Sequence, residues 1–234
     1  MKSKSTLFLV LDTETTRPKK QSRGIVFDLG YKIVDRYGNA YGQASFLATD
    51  VLSNHGPFYY NKIGRYYDMA YDKEIFPVPF NVIQKAINLT IKDLHNKGYE
   101  KVIAVGYNAK FDFGSLDNTS EKLLHKKFLQ VPVKYLCLWH YWSLNCPLNY
   151  KGPRTPSGKL VSTKAEHVYA FEFKKPAFIE EHTGYADASI EAELLLRVLN
   201  RSKGRLPTYN HYKDIPGGIP FIANRRLGII KQKK

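Results

Sequence analysis

The sequence predicts an α/β domain: a mixed five-stranded sheet, made of an antiparallel meander of three strands plus two parallel strands, flanked by helices. Three observations lead there. Leu7 to Leu11 and Lys101 to Tyr107 contain short unbroken apolar runs, as strands buried on both faces do. A turn signal, Arg36-Tyr-Gly38-Asn39, separates two strand-like stretches that follow the first run. After that meander, strand-like and helix-like patterns alternate, the order expected of a sheet covered by helices.

In chain order, Leu7 to Leu11 runs directly into Asp12-Thr-Glu14-Thr-Thr16. A basic polar loop, 17–23, leads to a strand over Gly24 to Asp35 and, past the turn, to another over about Ala40 to Ala48. Residues 49–79 read as irregular and tyrosine-rich, with aromatic and basic side chains interleaved as in segments that stack bases and hold phosphates. Pro79 to Gly98 predicts a helix, because Val82, Ile83, Ala86, Ile87, Ile91 and Leu94 recur at helical spacing and Gly98 supplies a stop. The stretch from Asn108 to Leu116 reads as a turn into a helix, and Val131 to Leu138 as the last strand. Asn145 to Lys159 reads as an exposed loop, followed by a helix opened by a capping box, Thr163-x-x-Glu166. Asp187 to Leu199 is the most strongly helical stretch, with Ile190, Leu194, Leu195, Val198 and Leu199 on one side. The expected organisation is one domain over residues 1–203, with a loop insert at about 145–160. A basic extension, 204–234, is packed on it or projects from it.

Composition narrows the function. Lys and Arg number 36 against 21 Asp and Glu, a formal charge of +15, which exceeds the needs of solubility and points to a polyanionic partner, most simply nucleic acid. The two cysteines are too few for a disulfide scaffold, and the first apolar run meets acids at once, unlike a signal peptide, so the expectation is a reduced, cytoplasmic protein. No apolar run approaches the roughly 18 residues of a membrane span. Cys137, His140 and Cys146 lack a regularly spaced fourth ligand and sit among aromatic residues, so packing is favoured over a zinc site. The sequence has no glycine-rich phosphate loop and no nucleophile elbow.

Carboxylates carry the chemistry. Side chains two positions apart on a strand share a face, so Asp12 and Glu14 point the same way at the end of a buried strand. Asp112 follows the neighbouring buried strand, and Asp187 opens a helix that can cover the same sheet edge, where ligands of such sheets bind. Four acids at one point repel unless cations or protons intervene, and oxygen donors favour Mg2+ or Mn2+. A cage for two divalent ions, about 3.5–4 Å apart, is the arrangement used for in-line attack on a phosphodiester.

Asp12-Thr-Glu14, Asn108-x-x-x-Asp112 and His182-x-x-x-x-Asp187 together resemble, in order, the three exonuclease motifs of the DEDDh 3′-to-5′ exonuclease family, whose fold is ribonuclease H-like. The resemblance spans about residues 7–199. It implies Asp12, Glu14, Asp112 and Asp187 as ligands of two divalent cations, Mg2+ or Mn2+, and His182 as the base that deprotonates the attacking water. It also implies that the backbone around Thr13, Thr15 and Thr16 meets the terminal nucleotide and that Asn108 and Phe111 line the pocket. Two departures stand out: Lys134-Tyr135-Leu136 lies where many relatives carry an Asp-Thr pair, and the 145–159 loop is longer than compact members need. The expected activity is release of nucleoside monophosphates from a 3′ end, with single-stranded DNA favoured over RNA. A polymerase or other replication protein is the expected protein partner, and the size and basic tail fit a polymerase-associated or phage-type enzyme. The rival from another class is a nucleic-acid-binding accessory protein that keeps the fold without the activity.

Overall fold

The computed structural model describes residues 6–16, 24–54, 63–147, 149–154, 161–202 and 206–216. The basic loop at 17–23, the Tyr59-Tyr60 pair, residues 155–160 of the insert and the basic tail from 217 lie outside the described residues.

Three strands form the expected meander: β1 (Leu7–Thr15), β2 (Val26–Asp35) and β3 (Ala40–Ala48). Two helices, α1 (Thr49–Asn54) and α2 (Ile63–Tyr71), precede β4 (Phe76–Val78) and α3 (Phe80–Asn96). Then come β5 (Val102–Gly106), α4 (Ala109–Leu124), β6 (Lys134–Cys137) and α5 (Leu138–Asn145). The chain continues through α6 (Ala165–Glu172) and α7 (Gly184–Arg201) to a 3-10 turn at Tyr212–Asp214.

The strands form one sheet in the order β4-β3-β2-β1-β5-β6. β1 pairs antiparallel with β2 and parallel with β5, so the direction of pairing changes at β1. Both faces of β1 are buried, which is why its apolar run is continuous. Leu7, Leu9 and Leu11 join Ile83, Ile87 and Ile91 of α3 and Phe113 and Leu116 of α4 in one core. Phe8 and Val10 join Leu194, Leu195 and Val198 of α7 in the other. The alternation continues past the core, so Asp12 and Glu14 emerge on the α7 face and Thr13 on the α4 face.

Four expectations are corrected. The sheet has six strands, not five, because Phe76–Val78 pairs parallel with β3 at its edge. Residues 49–79 are not irregular throughout, since they also hold α1 and α2. The capping box does not form: α6 starts at Ala165 and its N-cap Lys164 makes no side-chain cap. Thr163 Oγ1 instead accepts the Trp139 indole N–H (2.8 Å), and Glu166 Oε1 accepts the Glu180 N–H (3.4 Å). The 145–159 stretch is not simply an exposed loop, because Tyr150 is fully buried in the second core and its hydroxyl donates to the Ser162 carbonyl at 2.6 Å.

Of the C-terminal segment, residues 209–215 lie on the body. Tyr135 and Tyr209 exchange backbone hydrogen bonds (2.8 and 2.9 Å), and Tyr212 and Ile215 are buried in the first core. Cys137 caps α5 by accepting the His140 N–H on its sulfur (3.4 Å) and donates its thiol to the Tyr107 carbonyl (3.3 Å), a packing role. No helix among the described residues is long and apolar enough to cross a membrane.

Candidate active site

At the ends of β1 and β5 lies an open cavity of about 220 Å³. Asp12, Glu14, Asp112, His182 and Asp187 all line it, as do Thr13, Asn108 and Phe111. Each acid arrives by a different route. Asp12 and Glu14 come from the end of β1, opposite Gly30 and Asp28 of β2. The β1–β2 register shifts between Glu14 and Thr15, so the regular alternation ends just after the second acid. Asp112 comes from the first turn of α4, on the opposite layer, and Thr13 Oγ1 reaches across to donate a hydrogen bond to its Oδ1 at 3.0 Å.

Asp187 sits in the first turn of α7, which begins at Gly184 rather than at the acid itself. This start is set by close packing. A Cβ on Gly184 would lie 2.5 Å from the Gly30 nitrogen, and one on Gly30 would lie 2.0 Å from the Tyr185 nitrogen. Backbone therefore rests on backbone where α7 meets β2, and a side chain at either position would hold the helix off the sheet. Thr183, the N-cap, provides no side-chain bond. Asp28, fully buried on β2, takes that part: its Oδ2 accepts the Gly184 N–H (2.8 Å) and the Tyr66 hydroxyl (2.7 Å). A carboxylate at the positive end of an 18-residue helix is favoured by both the cap bond and the helix dipole.

His182 precedes α7 with φ 54°, a left-handed backbone that costs a non-glycine residue about 1–2 kcal/mol. Its imidazole is half exposed, and its Nδ1 lies 3.8 Å from Glu180 Oε2. Arg65 of α2 holds the same loop by pairing with the Glu181 carboxylate and donating to the Glu181 carbonyl (3.1 Å). One atom each of Glu14, His182 and Asp187 lies within 4.8 Å of the others, close enough to share a cation.

The electrostatics are those of crowded acids. Burial pushes the Asp12 carboxyl well above its usual range, with Asp112, Glu191, Asp187 and Glu14 adding to the rise. Burial lifts Asp112 to about 7, partly opposed by its hydrogen bond from Thr13. Asp187 is pushed up to about 8 by burial and then by Glu180, Glu14 and Asp28. Its Oδ1 is buried without a hydrogen-bond partner. Groups held this way take up either protons or hard cations, and oxygen donors of this kind suit Mg2+ or Mn2+.

Solved structures with the same architecture can be set beside this geometry. Cell-death related nuclease 4 (CRN-4) is 18% identical with a TM-score of 0.55, over 83% of this chain and 64% of that one. A 3′-exonuclease that recognises the histone mRNA stem-loop is 15% identical with a TM-score of 0.53, over 92% and 94%. A chain of the ExoI/SSB-Ct complex is 17% identical with a TM-score of 0.58, over 86% and 42%. The fold is ribonuclease H-like. The chain thus spans less than two thirds of CRN-4 and under half of the ExoI-complex chain, but nearly all of the histone mRNA exonuclease. No family model matches the sequence, and no curated protein does.

Two of the expected nucleotide-contacting residues are placed elsewhere. Thr15 and Thr16 do not line the cavity. Past the register shift, Thr16 is buried and tied to Ile25, its N–H donating to the Ile25 carbonyl (2.8 Å) and its Oγ1 accepting the Ile25 N–H (3.0 Å). Conversely, Glu180 and Glu191 line the cavity and were not foreseen. Glu191 had a signal, since it stands one helical turn beyond Asp187 on the apolar stripe where a solvated acid has no place.

Proposed function

We propose that the chain is a metal-dependent 3′-to-5′ exonuclease that hydrolyses the phosphodiester bonds of single-stranded DNA and releases nucleoside monophosphates. One observation carries this reading: Asp12, Glu14, Asp112, Asp187 and His182, from three distant segments, line a single open cavity. The acids would hold two divalent ions, Mg2+ or Mn2+, and the buried, unpartnered Asp187 Oδ1 is the atom that most needs one. Two such ions, when bound, position the scissile phosphate and offset charge on the attacking and leaving oxygens.

The protein's own groups supply the remainder. Glu180 faces Nδ1 of His182, which favours the tautomer protonated there and leaves Nε2 to take the proton of the attacking water. The left-handed backbone and the Arg65 contact to Glu181 set where that imidazole stands. Thr13 fixes the Asp112 carboxylate through its hydroxyl. Phe111, 44% exposed at the cavity, offers a face on which a terminal base can stack, and Asn108 beside it offers an amide. The formal charge of +15 draws a polyanion to the surface.

RNA is the second reading. It is favoured by the neighbour matched along nearly the full length of both chains, which recognises an mRNA stem-loop. Incubating the protein with end-labelled single strands of DNA and RNA of one sequence, with Mg2+ or with a chelator, separates the two. Metal-dependent shortening of DNA supports the primary reading, shortening of RNA alone supports the second, and binding without cleavage of either would sink both in favour of an accessory protein.

A further inference from the structure

Glu191 stands out among the acids because the helical chemistry gives no reason for it. It lies on α7 four residues after Asp187, so the two side chains are stacked on one helix face. The neighbours of that face, Ile190, Leu194 and Leu195, are core residues, and Glu191 is itself only 2% exposed. A buried acid at such a position is costly unless a partner or an ion compensates for it. One oxygen has a partner: Oε2 accepts the backbone N–H of Tyr107 at 3.0 Å, the residue that joins β5 to the Asn108 turn ahead of Asp112. A single neutral donor does not balance a carboxylate. Burial first, and then the Asp112 charge, raise its affinity for protons, while the Tyr107 N–H lowers it.

The position supplies the compensation. Glu191 lines the same cavity as the four acids assigned above. Its bond from the Tyr107 N–H sets its carboxylate beside the end of β5, where a Cβ on Gly106 would lie 3.3 Å from Asp112 Oδ2, so it stands on the Asp112 side of the cavity. Its charge also adds to the rise of Asp12. Glu14, His182 and Asp187 make the other, tighter group. The second, independent sign of a ligand is Asp187 Oδ1, from a side chain 7% exposed, buried in this cavity without a hydrogen-bond partner.

We infer that Glu191 is a fifth carboxylate of the cation site, acting on the ion nearest Asp12 and Asp112, while its second oxygen keeps the Tyr107 turn in place. This inference rests on the reading of the cavity as a divalent-cation site. It makes the Asp12–Asp112 side richer in charge than four acids alone, and so raises affinity for hard cations there. The Tyr107 bond separates the two duties of the residue. A glutamine can still accept that N–H through its amide oxygen, but it brings no charge.

The test is Mn2+ titration of the full chain without substrate, read by calorimetry and by the Mn2+ paramagnetic resonance signal, for the wild type, Asp12→Asn, Glu191→Gln and Glu191→Asp. Wild type is expected to bind Mn2+ and Asp12→Asn to lose most of that binding. Glu191→Gln is expected to bind about 10-fold or more weakly, with a metal-free thermal midpoint no lower than wild type. Glu191→Asp, which keeps the charge, is expected to fall between them, and it carries the test if the glutamine variant does not fold. Equal Mn2+ affinity in wild type and both Glu191 variants, with Asp12→Asn impaired, would overturn the role of Glu191 and leave the cation site standing. Absence of saturable binding by the wild type would overturn the cation site, and this inference with it.

Discussion

Gly30 and Gly184 touch through their backbones, with the Gly30 nitrogen only 2.5 Å from where a Gly184 Cβ would stand. That contact lets α7 begin directly on β2, and so brings Asp187 and His182 to the acids of β1. The site is therefore held by close approach of main chains as much as by its own side chains.

Gly30→Ala tests this dependence. Its methyl would overlap the Tyr185 nitrogen and the Gly184 carbonyl carbon, backbone atoms that cannot turn aside. Overpacking of this kind costs about 1–3 kcal/mol, and the shift of α7 should reduce Mn2+ affinity as well. Denaturant unfolding alongside a Mn2+ titration reads both, and an unaltered pair of values would contradict the packing argument.

Asp28 offers a separate check on the same helix start. Asp28→Ala would leave the Gly184 N–H and the Tyr66 hydroxyl buried without an acceptor, at about 1–3 kcal/mol for each. Tyr66→Phe removes one donor only and should cost about 1 kcal/mol. The expected order of stability is wild type, then Tyr66→Phe, then Asp28→Ala, measured by urea unfolding.

The pH dependence of the metal-free protein follows from the crowded acids. Asp112 and Asp187 rise from 3.8 to about 7 and about 8 in the folded state. The folded form thus holds their protons more tightly than the unfolded one. Their contribution to stability is present below pH 4 and is lost as pH rises through about 7 to 8. Thermal midpoints in a chelator should fall across that window, and Mg2+ or Mn2+ should restore them most at the alkaline end, where the carboxylates are free to bind. A midpoint that rises between pH 5 and 8 without metal would refute the assignment.

His182→Ala should separate catalysis from metal binding. Loss of a general base lowers turnover by about 10²- to 10⁴-fold, whereas Mn2+ affinity should change little if the imidazole is a base rather than a ligand. A large loss of Mn2+ affinity would instead make His182 a ligand, as its closeness to Glu14 and Asp187 allows.

Much of this site could be read from local pattern. Asp12 and Glu14 follow from a strand period of two, and Asp112 and Asp187 from their places at a strand-to-helix turn and a helix start. Glu191 escaped because its place on the apolar stripe signals burial but not what it faces, and its partner, the Tyr107 N–H, stands 84 positions away. Asp28 escaped because its partners, Tyr66 and Gly184, stand 38 and 156 positions away, beyond any local spacing. β4 escaped because three residues centred on Pro77 carry no strand pattern, and only pairing to β3 makes them one. The capping box at Thr163 and Glu166 misled because tertiary partners, Trp139 and the Glu180 backbone, took both side chains.

The most direct test of the central claim is the product pattern from single strands labelled at one end or the other, incubated with Mg2+ and either wild type or Asp12→Ala. The proposed site predicts that 5′-labelled strands shorten in single-nucleotide steps, that 3′-labelled strands release labelled mononucleotide at once, and that Asp12→Ala does neither while remaining folded. Stepwise loss from the 5′ end, or undiminished cleavage by Asp12→Ala, would contradict it.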